Sequence, residues 1–140
     1  MCNLSDNVLP VRKKMPHNTP SWVKSGEPFF ITINCLNRND EQLTNEFTAE
    51  IIRKSAVHCI ESNKFWIRLL LLMPDHMHGI FSFGPNVSMK RVISDWKRYL
   101  SRHHNIVWQR DFFDHRLRNQ KEFAEKWAYI MENPVRRGLC

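Results

Sequence analysis

The chain has 140 residues, a formal net charge of +7 and 42% hydrophobic residues. That length fits one domain whose single core needs no disulfide or metal staple, and the apolar content excludes wholesale disorder. No stretch approaches the ~20 apolar residues of a membrane span. The first twenty residues carry no apolar secretory core, so a cytoplasmic protein with no membrane attachment is expected. The positive charge favours an anionic partner, nucleic acid ahead of a membrane surface. Cys2, Cys35, Cys59 and Cys140 are scattered without C-x-x-C spacing, which is neither a zinc pattern nor a nucleophile's setting.

Residues 1–27 hold Pro10, Pro16, Pro20 and Gly26 together with Arg12, Lys13, Lys14 and Lys24. They read as a basic, partly extended arm that can follow a phosphate backbone, or as a plain disordered terminus. A folded domain over residues 28–140 follows. Phe29 to Cys35 (FFITINC) is rich in β-branched and aromatic residues and predicts a strand. From Thr44 to Ser62, Phe47, Ile51, Ile52, Ala56, Cys59 and Ile60 recur at helical spacing. Phe65 to Met73 (FWIRLLLLM) is a continuous apolar run, as in a strand covered on both faces. Pro74-Asp75 turns the chain into a further strand, His76 to Phe83. Ser88 can cap a helix running to about His103, with Met89, Val92, Ile93, Trp96 and Leu100 inward and Lys90, Arg91, Lys97, Arg98 and Arg102 outward. Phe112 to Leu117 predicts a short last strand. Asn119 with Glu122 resembles a capping box that opens a last helix, expected to stop at Pro134. The order β-α-β-β-α-β-α predicts an α+β, ferredoxin-like antiparallel sheet with helices on one face.

His76 and His78 stand one residue apart in a strand, so both point to the same face and can share a metal ion. Alone, such a pair reads as ordinary polar strand positions; a metal needs further ligands. On the last helix, 100° steps place Phe123, Trp127, Ile130 and Met131 on an apolar stripe. Tyr129 and Asn133 fall together on a neighbouring face, shared with Glu122 and Lys126. An asparagine oxygen can ligate a divalent cation, and a tyrosine one turn away could then attack a polarised phosphate. On spacing alone, a surface tyrosine beside a helix-ending asparagine is the plainer account. Tyr99, the other tyrosine, borders the second helix's apolar stripe and is expected to cover the core with its ring.

Three segments carry a family resemblance. MPDHMHGIFSF resembles the His-hydrophobe-His (HUH) strand of IS200/IS605-like single-tyrosine transposases. WQRDFFDHRLRN followed by AYIMENPVRRGL resembles the C-terminal signature of their REP-associated tyrosine transposase branch, and PSWVKSGEPFFITINCLNRN resembles its opening strand. The similarity spans roughly residues 20–139. It implies the IS200-like transposase fold, with His76, His78 and Asn133 as ligands of Mg²⁺ or Mn²⁺ and Tyr129 as nucleophile. It further implies cleavage and rejoining of single-stranded, hairpin-bearing DNA through a 5′-phosphotyrosine, without ATP. Members usually continue past N-P-V-R-x-G-L, whereas this sequence ends at Cys140, so strand cleavage is expected and complete transposition is left open. A monomer is expected over a homodimer.

The basic face of the second helix (Lys90, Arg91, Lys97, Arg98, Arg102) is the preferred DNA surface, with Arg116 and Arg118 as further phosphate contacts. Trp108, Phe112, Phe113 and His115 are candidates for base stacking or for shaping the site, two of the three aromatics being expected in the core. Asp75 reads as the turn residue after Pro74. Two other readings compete: a non-catalytic DNA- or RNA-binding remnant of such a transposase, and a histidine metal hydrolase without a covalent step.

Overall fold

In the computed structural model the described residues are 8–9, 21–38 and 41–136. Five strands, β1 (Val8–Leu9), β2 (Phe29–Asn34), β3 (Phe65–Met73), β4 (His76–Phe83) and β5 (Phe113–Arg116), form one antiparallel sheet in the order β1-β3-β4-β2-β5. The helices are α1 (Trp22–Ser25), α2 (Glu46–Glu61), α3 (Met89–His104) and α4 (Gln120–Arg136). From β2 onward the elements run β-α-β-β-α-β-α, the expected α+β, ferredoxin-like order. Arg12, Lys13 and Lys14 of the expected arm lie outside the described residues, as do Cys2 and Cys140. Within residues 1–27, Val8 and Leu9 pair with Leu71 and Leu70 of β3, and Val23 of α1 is buried in the core.

The sheet has two apolar faces, and each is covered. Ile31, Ile33, Met77 and Phe81 face α2 and α3, where Ile52, Ala56, Ile60, Ile93, Trp96 and Leu100 complete the larger core. Phe30, Leu69, Leu71, Met73 and Ile80 face the other way and are covered by Ile130 of α4 and by Leu117. The expectation of helices on one face therefore holds for α2 and α3 only. Strand residues alternate sides, so two buried faces require a second cover, and α4 supplies it. In β3 a register irregularity between Ile67 and Leu69 puts these two residues in opposite cores. Gly79 is required by packing, since a Cβ there would collide with the Phe81 ring.

The three long helices, α2, α3 and α4, begin on side-chain caps. Asn45 Oδ1 accepts from the N–H groups of Phe47 and Thr48, and Ser88 Oγ from that of Arg91. At α4 the Asn119–Glu122 box closes in both directions: Asn119 accepts from Glu122 N–H at 2.9 Å, and Glu122 accepts from Arg118 N–H at 2.6 Å. Two local expectations fail. Phe47 is 75% exposed rather than part of the α2 stripe, because it sits in the first turn beyond the sheet's reach. The backbone of α4 continues through Pro134 to Arg136; a proline in the last turn forfeits one hydrogen bond without ending the helix. No helix among the described residues is long and apolar enough to cross a membrane.

Candidate active site

The register of two central strands builds one wall of a cleft. β2 and β4 pair Thr32 with His78 and Asn34 with His76. Residues directly opposite on an antiparallel ladder share a face, here the α4 face. The rings of His76 and His78 lie 4.7 Å apart between centroids, and both are almost fully buried. α4 supplies the opposite wall. With Ile130 fixed in the core, Tyr129 and Asn133, one helical turn apart, point to the cleft on adjoining positions. Thr32, Asn34, Arg38, His76, His78, Tyr129 and Asn133 together line an open cavity of about 330 Å³.

Each histidine is held through its Nδ1. Asp75 Oδ1 lies 2.7 Å from His76 Nδ1, and Thr32 Oγ1 lies 2.8 Å from His78 Nδ1. A carboxylate on Nδ1 keeps the proton there and makes Nε2 the basic nitrogen of the His76 ring. Asp75 is 2% exposed and also pairs with Arg38 at 3.1 Å; Arg38 donates in turn to Asn34 Oδ1. Asp75 occupies the expected turn but is more than a turn residue, because its side chain folds back onto its own neighbour. The His78 ring is stacked on Phe30 at 5.4 Å and meets Tyr129 at 5.7 Å. Lys126 places its ammonium 4.7 Å from the Phe30 centroid and 5.3 Å from that of Tyr129. Tyr129 is 37% exposed, within reach of a ligand, while Asn133 is buried.

The donor set suits a divalent cation. Two imidazoles on one strand face, each oriented by a partner on Nδ1, stand across from a carboxamide oxygen. Among the described residues no three His, Cys, Asp or Glu side chains cluster as a metal site. Besides the two imidazoles the cavity lining offers the amides of Asn34 and Asn133 and the hydroxyls of Thr32 and Tyr129 as oxygen donors, with Asp75 already committed to His76 and Arg38.

The expected DNA-contacting residues lie elsewhere. Lys90, Arg91, Arg98 and Arg102 are exposed on the outer side of α3, with Arg98 3.2 Å from Asp95. Lys97 departs from that reading. It is 7% exposed, and its ammonium bonds the carbonyls of Gln109, Arg110 and Asp111 at 2.8, 3.2 and 3.1 Å. Burial pushes its pKa below the ordinary lysine range, with Asp111 acting in the opposite direction. Arg116 pairs with Glu27 at 3.2 Å, and Arg118 is exposed. Tyr99 does not cover the core: it is 46% exposed and packs on His103 and His104, across the sheet from the cleft. Trp108 and Phe112 pack against the larger core, whereas Phe113 is exposed. Burial raises the Cys59 thiol to about 11, the inert setting expected of a packing cysteine.

Sequence reasoning missed Thr32, Asn34 and Arg38. Alternation along β2 could have placed the first two on one face, but nothing local marks which strand lies beside His76 and His78.

A family model described as Transposase IS200 like matches residues 31–132. The chain belongs to the IS200-like transposase family. The REP-associated tyrosine transposase of Escherichia coli (strain K12) is 27% identical over 122 residues, covering 84% of this chain and 71% of that protein. A Haemophilus influenzae protein is 26% identical over 133 residues, covering 81% of this chain and 73% of its own length. A solved structure of a REP-associated tyrosine transposase bound to a REP hairpin superposes with a TM-score of 0.74 at 25% identity, covering 82% of this chain and 70% of the other. The resemblance carried by the three sequence segments is thus borne out for this IS200-like transposase.

Proposed function

We propose that this transposase cuts and rejoins single-stranded DNA at the cleft between β4 and α4, with Tyr129 as the nucleophile. The observation that carries the reading is that Tyr129 and Asn133 of α4 line the same cavity as His76 and His78 of β4. Tyr129 attacks the scissile phosphorus through its phenolic oxygen. The P–O3′ bond breaks, the phenol's proton leaves, and the departing 3′ oxygen takes up a proton. A 5′-phosphotyrosine and a 3′-hydroxyl result. One phosphate ester is exchanged for another, so reversal at a second 3′ end needs no ATP.

His76, His78 and Asn133 would hold a divalent cation, Mg²⁺ or Mn²⁺. When bound there, it supplies Lewis-acid polarisation of the phosphate. Asp75 and Thr32 fix the two rings; Phe30 and Lys126 hold the tyrosine ring where the strand enters. Since the related solved structure is of a protein bound to a REP hairpin, a hairpin-bearing single strand is the substrate to test, and a monomer is the working unit. The exposed cations of α3, with Arg116 and Arg118, are the proposed contacts to the hairpin backbone.

The test is a denaturing gel for a covalent protein–DNA adduct, using hairpin oligonucleotides from DNA flanking the gene. Wild-type protein is expected to form the adduct with Mn²⁺ and to lose it with EDTA. Tyr129→Phe is expected to abolish the adduct, at least 10³-fold, while still retaining the oligonucleotide in a native gel. Undiminished adduct in that variant removes Tyr129 from the role.

A further inference from the structure

Phe113 is 56% exposed although it sits in a strand, and an apolar ring on a sheet edge is an aggregation liability that folds ordinarily avoid. Strand register fixes where it stands. β5 pairs Phe113 with Thr32, the cleft residue bonded to His78, so the ring projects from the same face as the cleft. It meets Phe30 edge-on at 6.1 Å, and Phe30 in turn contacts both His78 and Tyr129. Lys126 stands over the ring of Phe30, 4.7 Å from its centroid. On its β5 side the cleft thus continues past Phe30, over which the Lys126 ammonium stands, to an exposed aromatic ring.

We propose that Phe113 is the stacking platform for the unpaired nucleobase adjoining the phosphate that Tyr129 attacks, with Lys126 beside the strand's backbone. The proposal rests on the strand-cleavage reading and adds to it a nucleobase subsite. A single strand presents an alternation of flat apolar base and negative phosphate, which an exposed ring at one end of a cleft that also holds an ammonium complements. A protein partner fits less well. Phe113 is the one exposed large apolar side chain of β5, and a single ring falls far short of the roughly 800 Å² per partner of a standard interface. Trp108 and Phe112, the other aromatics of this segment, are committed to the core.

Phe113→Leu keeps an apolar side chain against Phe30 and removes the stacking face; Phe113→Trp keeps and enlarges that face. Fluorescein-labelled hairpin oligonucleotides with single-stranded extensions are titrated by anisotropy in a Tyr129→Phe background, where cleavage cannot intervene. Each unpaired nucleotide is replaced in turn by an abasic unit. At one position the abasic change is expected to weaken binding by roughly tenfold when Phe113 or Trp is present, and by less than twofold with Leu. Equal abasic penalties in the Phe and Leu proteins at every position overturn the platform. Wild-type adduct formation on the same oligonucleotides is scored in parallel. Binding with the expected base dependence but no adduct overturns the cleavage reading and supports the platform; adduct with equal penalties does the reverse. If none of the oligonucleotides binds, both fall.

Discussion

A carboxylate at 2% exposure must be compensated, and Asp75 is compensated on both oxygens, by His76 Nδ1 at 2.7 Å and by Arg38 at 3.1 Å. The arrangement is a relay of orientation: Arg38 holds Asp75, Asp75 holds the His76 ring, and Thr32 does the same for His78. Partners of this kind raise ligand basicity and fix ring direction, and losing one typically costs about 10- to 100-fold in metal affinity. Asp75→Asn should therefore raise the Mn²⁺ concentration for half-maximal adduct formation by roughly that factor, with the rate at saturating Mn²⁺ changed only a few-fold. A metal titration of single-turnover cleavage reads both quantities. A midpoint within twofold of wild type would mean that His76 needs no help from Asp75. Asp75 was legible as a turn residue, but its hold on His76 and Arg38 was not, because those contacts depend on where its side chain folds, which Pro74-Asp75 as a string does not disclose.

At the scale of elements, α4 carries the site by straddling it. Ile130 is fully buried among Phe30, Leu69, Leu71 and Ile80, and its neighbours in sequence and along the helix, Tyr129 and Asn133, are aimed by that anchor. Ile130→Ala should cost about 2–4 kcal/mol of stability through the cavity left behind, read as a lower urea midpoint with an unchanged slope. Below that midpoint the variant should form adduct more slowly than wild type, because the tyrosine loses its fixed distance from the histidines. A full adduct rate in a destabilised Ile130→Ala protein would show that α4 needs no such anchor. Much of this element was legible beforehand. Helical spacing alone placed Tyr129 with Asn133 and Ile130 on the apolar stripe, and the Asn119–Glu122 box gave the start. Both strands of the β3–β4 hairpin were legible end to end, from one apolar run and its turn. The sheet face that α4 covers was not legible: periodicity says that a helix has an inward stripe, never which of two apolar sheet faces receives it. The β3 irregularity was hidden for a related reason, since a run buried on both sides shows no alternation to interrupt.

At the scale of the whole molecule, the cleft and the exposed cations of α3 lie on opposite sides of the sheet. α3 packs Trp96 against Phe65 and Phe81, whose side of the sheet is the reverse of that bearing His76 and His78. A hairpin gripped by α3 must therefore send its single strand around a sheet edge to reach Tyr129. The β5 edge is the short route, since the loop before it is tied to α3 by Lys97 and by the Trp108 indole, which donates to the Lys97 carbonyl at 3.1 Å. This geometry divides the basic residues into two kinds. Replacing Arg91, Arg98 and Arg102 together with glutamine should flatten the dependence of log affinity on log salt by about 2, since each phosphate contact contributes roughly 0.7–0.9. The adduct rate at saturating DNA should stay within a few-fold, because none of the three faces the cleft. Lys97→Met should behave oppositely, leaving the salt slope unchanged while lowering stability by about 1–3 kcal/mol as three backbone carbonyls lose their donor. An anisotropy titration across salt concentrations, paired with thermal unfolding, separates the two. An unchanged slope in the triple variant would move the hairpin to the cleft side of the sheet, with Lys126, Arg38 and the β5 edge left to hold it.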